Sequence, residues 1–301
     1  MKPAAAVLAA ALGGLAAPAA AEGFPVRLDD GATWTMTVEH TVETNRAGAK
    51  EIVGTTTTSQ LVWEPGVVTV HQLSIAGRDG VPDDAVQALN LGVPIELTVD
   101  EALQPTGIRN EAQVRDAVAA MLKRTSPNSP DPATVGPGKA AIFKGMVDEL
   151  AMRDVRRTSL GQGLSLKLRK TITYEDAVQS SFGGPPMAAK GSFTLVSRDA
   201  AKNRAVIDWA QQLDPESARR SVADIATGAF DDLSKDQAKT LHKSVTQLPF
   251  DQREECRHEI DVPTGLALKV QCSSTVILGD ISRVERWTIT QTQPQTPAKT
   301  N

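Results

Sequence analysis

Apolar and polar positions alternate over long stretches at both ends of the chain. Trp34, Met36, Val38, His40 and Val42 alternate with Thr35, Thr37, Glu39, Thr41 and Glu43, the period of a strand with one buried face. Residues 45–48 (Asn-Arg-Ala-Gly) predict a turn, residues 51–63 a Thr-rich second strand, and Glu64-Pro65-Gly66 a second turn. Residues 67–75 supply a third strand, which makes an antiparallel meander. Residues 78–90 predict an irregular stretch or a short helix. Ile95, Leu97 and Val99 then alternate with Glu96, Thr98 and Asp100 as a further strand.

Helical spacing follows. Asn110 can cap a helix whose apolar face is Val114, Ala117, Val118, Met121 and Leu122, with Lys123 and Arg124 at its end. After a Ser- and Pro-rich loop at 126–132, a second helix is predicted over 139–153, burying Ile142, Phe143, Met146, Val147 and Leu150. Alternation returns with Leu164, Leu166, Leu168, Ile172 and Tyr174, interrupted by Lys170. A break falls at 183–186, and residues 192–198 and 204–212 predict a hairpin. Asp214-Pro215 opens a third helix with a face of Val222, Ile225, Ala226, Ala229 and Phe230. Ser234 and Gln237 form a capping box before Ala238, Leu241, Val245 and Leu248.

The last strands carry the two cysteines. A three-residue loop ending in Gly265 would pair Val262 with Leu266 and, in the same register, Cys256 with Cys272. Cys256, His258, Ile260 and Val262 then face one side with Cys272, Val270, Leu268 and Leu266. Arg257, Glu259, Asp261, Ala267, Lys269 and Gln271 face the other. A two-residue turn at Gly279-Asp280 pairs Leu278 with Ile281, so that Cys272 faces Trp287 and Val270 faces Ile289.

Helices clustered between runs of strands imply an antiparallel α+β fold: a curved, half-barrel-like sheet with several amphipathic helices packed on it. The chain opens with Met1-Lys2 and an apolar, Ala-rich stretch ending in Ala19-Ala20-Ala21, the pattern of a cleaved signal peptide over 1–21. One β-rich domain is expected over 22–291, with two similar halves (22–160 and 161–291) as an open alternative, then a disordered tail over 292–301. A periplasmic or secreted location follows from the leader. In an oxidising compartment a lone cysteine pair reads as a disulfide. The net charge of −4 speaks against a nucleic-acid partner, and one Tyr with four Trp speaks against large aromatic ligand platforms. No segment after the leader is apolar enough to span a membrane.

The early meander, the strand 92–100 (Gly-Val-Pro-Ile-Glu-Leu-Thr-Val-Asp), the helix opening at Asn110 and the late element 261–266 together resemble uncharacterised exported bacterial proteins. This resemblance covers most of the mature chain and implies a curved antiparallel sheet with helices on one side, similar to periplasmic lipoprotein carriers. It transfers no functional residues.

Candidate chemistry is sparse. Cys256, His258 and Cys272 share a sheet face and could ligate Zn²⁺, but the fourth ligand is missing and oxidation competes, so no metal site is expected. Glu254 and Glu285 both fall opposite Ser274, with Arg283 one step further, a polar cluster that can be an acid–base pair or a solvated sheet end. No Gly-x-Ser-x-Gly, Ser-x-x-Lys or His-Glu-x-x-His motif occurs, and 136–140 (Gly-Pro-Gly-Lys-Ala) does not complete a phosphate loop. No catalytic residue and no cofactor are expected. The expected function is a non-enzymatic binding or carrier module for an apolar small molecule or lipid, with Trp34, Met36, His258 and Trp287 as candidate cavity lining. An envelope protein-interaction module and a hydrolase without a recognisable motif are the alternatives.

Overall fold

The structure, a computed structural model, describes residues 22–77, 83–127, 134–180, 184–230 and 233–292. The expected leader (1–21), the tail from 293, and parts of the predicted irregular segments at 78–82, 128–133 and 181–183 lie outside the described residues.

The architecture is one open, curved antiparallel sheet of eleven strands with helices on one face. Three long strands, β2 (Thr33–Arg46), β3 (Ala49–Glu64) and β4 (Val67–Gly77), form the predicted meander, closed by Gly48 at φ 84° and Gly66 at φ 79°. β1 (Glu22–Gly23) precedes them, and the short α1 (Asp84–Gln87) leads into the hairpin of β5 (Ile95–Val99) and β6 (Pro105–Ile108). Helices α2 (Glu111–Thr125) and α3 (Pro137–Ser159) cross the inner face. The chain returns through β7 (Ser165–Leu166), β8 (Thr171–Val178), β9 (Met187–Asp199) and β10 (Arg204–Leu213). Helices α4 (Pro215–Gly228) and α5 (Lys235–Thr246) precede the final meander β11 (Phe250–Asp261), β12 (Ala267–Leu278) and β13 (Ile281–Gln291). The order across the sheet is β6-β5-β4-β3-β2-β13-β12-β11-β10-β9-β8, while β1 and β7 pair separately.

Two features curve and close this sheet. The seam between β2 and β13 joins the two ends of the chain, with Met36 opposite Gln291 and Ile281 opposite Arg46. Helix α3 touches both β6, at one edge, and β12, six places further along the order, so the sheet wraps around it. The core lies between them: Trp34, Met36, Val38, Leu61, Val68, Val270 and Ile289 from the inner face meet Val147, Val155, Val114 and Val118 from α3 and α2. Each such side chain, fully buried, stabilises the fold by roughly 1.5–3 kcal/mol. A smaller cluster of Met187, Ala189, Leu213 and Phe250 packs under Ala218 of α4.

Cys256 and Cys272 are directly opposite and joined as a disulfide. With a sequence separation of 16, the crosslink contributes about 3 kcal/mol in the chain-entropy model. The predicted pairs Cys272–Trp287 and Val270–Ile289 are present.

Several local expectations need correction. The β11–β12 register shifts after Glu259, so Ile260 faces Ala267 rather than Leu268. The loop is a residue longer than predicted, because the Asp261 N–H donates to Leu266 O and Gly265 N–H to Asp261 O. The Asp261 carboxylate accepts from both the backbone and the hydroxyl of Thr264, which fixes that longer turn. Ala267 is consequently buried and Leu268 only half-buried. The alternating run from Leu164 to Tyr174 is two strands, broken where Arg169 takes φ 58°. Leu168 and Ile172 are therefore exposed. Helix α3 runs six residues beyond the predicted end at Arg153, and Leu150, predicted as buried, is exposed. Helix α4 buries Ser217, Ala218, Ser221 and Ala223, leaving Phe230 exposed. The capping box at Ser234 is present, but α5 rests on α4 and buries no residue fully. Asn110 starts α2 without a side-chain cap, because its amide instead binds Glu96 N and Pro94 O.

Candidate functional site

Residues 153–157 of α3 read Arg-Asp-Val-Arg-Arg, a run that hydropathy alone would leave in solvent. Yet the last turns of α3 are enclosed by the curved sheet, and Val155, Arg157, Thr158 and Ser159 are all buried. The Arg157 charge survives there because the sheet supplies its partners. Arg157 Nε donates to Glu254 Oε1 at 3.1 Å, and the Arg157 guanidinium carbon sits 3.6 Å from the centre of the Trp287 ring. His258, fully buried on β11, donates from Nε2 to the Arg157 carbonyl at 2.9 Å, satisfying one of the last carbonyls of the helix.

The sheet side is organised by register. Trp287 lies opposite His40 across the β13–β2 seam, and the two rings stack with centroids 4.7 Å apart and planes 6° from parallel. Two residues along, Glu285 holds His40 Nε2 at 2.8 Å through Oε2 and accepts from Arg283 Nε at 2.7 Å through Oε1. Ser274 stands between Glu254 and Glu285, opposite both. On the helix, Arg153 pairs with Asp154 at 3.0 Å and Arg156 with Glu149 at 3.5 Å.

The two carboxylates differ in electrostatics. Burial pushes the Glu254 carboxyl up, and the Arg157 guanidinium only partly offsets this. Burial acts in the same direction on Glu285, but hydrogen bonds from His40 and Arg283 outweigh it and hold the pKa at about 2. Asp154 is also held low: burial opposes ionisation and the Arg153 charge overcomes it. Burial pushes His258 down, which keeps the neutral imidazole that donates to Arg157.

The pKa values of Glu254 and Glu285 are driven apart, as in acid–base pairs. Their geometry serves another purpose. Each is committed to its own cation, and the four arginines 153, 156, 157 and 283 balance Glu149, Asp154, Glu254 and Glu285. The Arg157–Glu254 pair fastens α3 to the sheet, while the other three pairs lie within α3 or within β13. Glu254, Cys256 and Cys272 bring ligand-type atoms within 4.8 Å of one another, but both sulfurs belong to the disulfide and offer no thiolate to a metal.

The candidate lining residues all lie in the core: Trp34 and Met36 are 3% exposed each, Trp287 2% and His258 0%. The depressions of about 750, 590 and 510 Å³ are open and lie elsewhere. Of the predicted polar cluster, Glu254, Ser274, Arg283 and Glu285 do share a sheet face. What sequence reasoning missed was the other half: Arg157 from α3 and His40 from β2. The charged run at 153–157, continuous with an amphipathic helix, was the available signal.

No family model matches the chain, and no curated protein matches it. Two solved structures align with the chain at low TM-scores. One is lipovitellin, described for its lipid–protein interactions, with a TM-score of 0.47 and 11% identity, covering 91% of this chain and 26% of that one. The other is DynF from the dynemicin biosynthesis pathway of Micromonospora chersina, with a TM-score of 0.22 and 6% identity, covering 94% of this chain and 88% of that one. This chain thus spans about a quarter of the lipovitellin chain, and neither likeness bears on function.

Proposed function

We propose that the protein is a non-enzymatic binding module that takes an acyl-chain lipid against the inner face of its sheet, with α3 as the displaceable cover. The observation that carries this reading is the nature of that contact. A mostly aliphatic sheet face is covered along its middle by one long helix, and the helix is tied down through the Arg157–Glu254 ion pair as well as apolar packing. Ion pairs can exchange partners or water when the helix moves, whereas the aliphatic floor of Val38, Val70, Val270 and Ile289 would require an apolar replacement. A floor richer in aliphatic than in aromatic side chains suits chains over flat rings. The periplasmic or secreted location expected from the leader belongs to the same proposal.

Native mass spectrometry of protein isolated from its own cells should show a lipid adduct, and the delipidated protein should bind the fluorescent fatty acid cis-parinaric acid. The absence of both would overturn the reading.

A second reading rests on β8, the terminal strand of the sheet order, most of whose residues are exposed. A free strand edge can take a partner's strand, as an envelope interaction module would. Crosslinking in intact cells from Thr173 or Glu175 that traps one specific protein would favour it.

A further inference from the structure

Among the described residues nothing covers the face of the sheet away from the helices, and over β8–β12 its outward side chains form a groove. The ladders align them in rows that cross the strands. The central row is Thr173, Ser192, Ala210, Glu255 and Ser273, each directly opposite the next. Apart from Glu255, these side chains are short, and Glu255 is drawn sideways onto Arg253. The rows on either side hold the longer side chains. One runs Thr171, Thr194, Asp208, Arg257 and Gln271 and is long from β10 to β12, with Asp208 and Arg257 joined by two bonds of 2.7 and 2.8 Å. The other contains Glu175, Lys190, Gln212 and Arg253. The short row is flanked by long side chains on both sides over β10 and β11 and on one side beyond them, which makes a trough. Its floor crosses four strand spacings, about 19 Å, and where both walls stand their Cα atoms are about 13 Å apart. Two open depressions, of about 750 and 510 Å³, meet on its floor at Ser192 and Ala210.

We propose that this trough is a binding site for a linear, uncharged oligosaccharide. Its charges are already matched, Arg257 with Asp208, Arg253 with Glu255 and Lys190 with Glu175, so the surface selects neither anions nor cations. The remaining groups are the hydroxyls of Thr173, Ser192 and Ser273 and the amide of Gln271, which both donate and accept, while Gln212 already donates to Asp251. Sugar hydroxyls do the same. An extended peptide fits less well, because strand main-chain groups on this face are spent in the ladder and a peptide needs a free edge for its own. No aromatic side chain faces outward along the central row to stack on a sugar ring, so binding is weak and depends on chain length. The site is independent of any ligand on the inner face.

The test uses the ¹⁵N-labelled full protein titrated with maltohexaose, cellohexaose and chitohexaose to millimolar concentration. At least one should shift the amides of Thr173, Ser192, Ala210 and Ser273. The affinity should be unchanged between about 50 and about 500 mM salt, as for a neutral ligand. Ala210→Phe and, separately, Ser192→Tyr should each weaken binding at least tenfold while the remaining spectrum stays dispersed. Thr35→Phe, on the same face but outside the trough, should not. No shift with any oligomer overturns the proposal, as do shifts that map elsewhere, binding that survives both floor substitutions, or a Ser/Thr-rich peptide binding in the trough where the sugars do not.

Discussion

The guanidinium of Arg157 lies 3.6 Å from the centre of the Trp287 ring while its Nε holds Glu254. A single side chain of α3 thus joins an aromatic residue on β13 to an acid on β11. Removing it leaves a largely buried carboxylate without a counter-charge. Arg157→Met should destabilise the protein by about 3 kcal/mol in urea denaturation at neutral pH. Adding Glu254→Gln should recover part of that loss. A double variant as unstable as the sum of the singles would show that the two residues do not act together.

Glu285 gives the fold a pH dependence of known sign. Its pKa falls from 4.5 to about 2 on folding, so its contribution is complete above pH 4.5 and lost as the pH drops toward 2. Its full size is about 3 kcal/mol, from the linkage between pKa and stability. Glu285→Gln should lower stability at pH 7 by that order and flatten the acid limb of the stability curve. Glu254, whose carboxyl is pushed up by burial, acts oppositely: its charged form costs stability, and that cost disappears as the pH falls. Glu254→Gln should therefore cost less at pH 7 than Glu285→Gln. Equal losses would contradict the assignment.

The start of α3 and the end of α4 meet through two glycines that are not equivalent. A Cβ on Gly138 would stand 1.5 Å from the Gly228 carbonyl oxygen, while one on Gly228 would meet nothing within 4 Å. Gly138→Ala should cost about 1–3 kcal/mol by forcing the helices apart, and Gly228→Ala should be close to neutral. Thermal denaturation of the two variants decides this. A neutral Gly138→Ala would mean that the helices separate freely. Gly138 falls in the segment 136–140 that only hints at a phosphate loop, and helix packing accounts for it.

The strands were legible because period-two alternation reports a one-sided sheet directly, and the pairing of Cys256 with Cys272 followed from turn chemistry and register. The register faltered only beyond Glu259, where the Asp261 carboxylate captures Thr264 and lengthens the loop. Helix faces were less legible. Leu150 and Phe230 look like core by composition, yet the sheet meets α3 and α4 through other faces. In the site, Glu254, Ser274 and Glu285 were visible because neighbouring strands fix their alignment. Arg157 was not, since its partners lie 97 and 130 positions away in sequence and a charged residue earns burial only through partners that packing brings to it.

The β2–β13 seam has a consequence for the timing of folding. Residues 36–46 wait at the centre of the sheet for residues 281–291, the last strand among the described residues. Until then the early strands β2–β6 and the later block β8–β12 can form only as two separate sheets, each with an unpaired edge where the seam belongs. Pairing across such a separation is slow, because the loop must close before its contacts repay the cost. A nascent chain therefore stays incomplete until β13 emerges, and a truncation before Ile281 would leave two sticky half-sheets in place of a shorter version of the same protein.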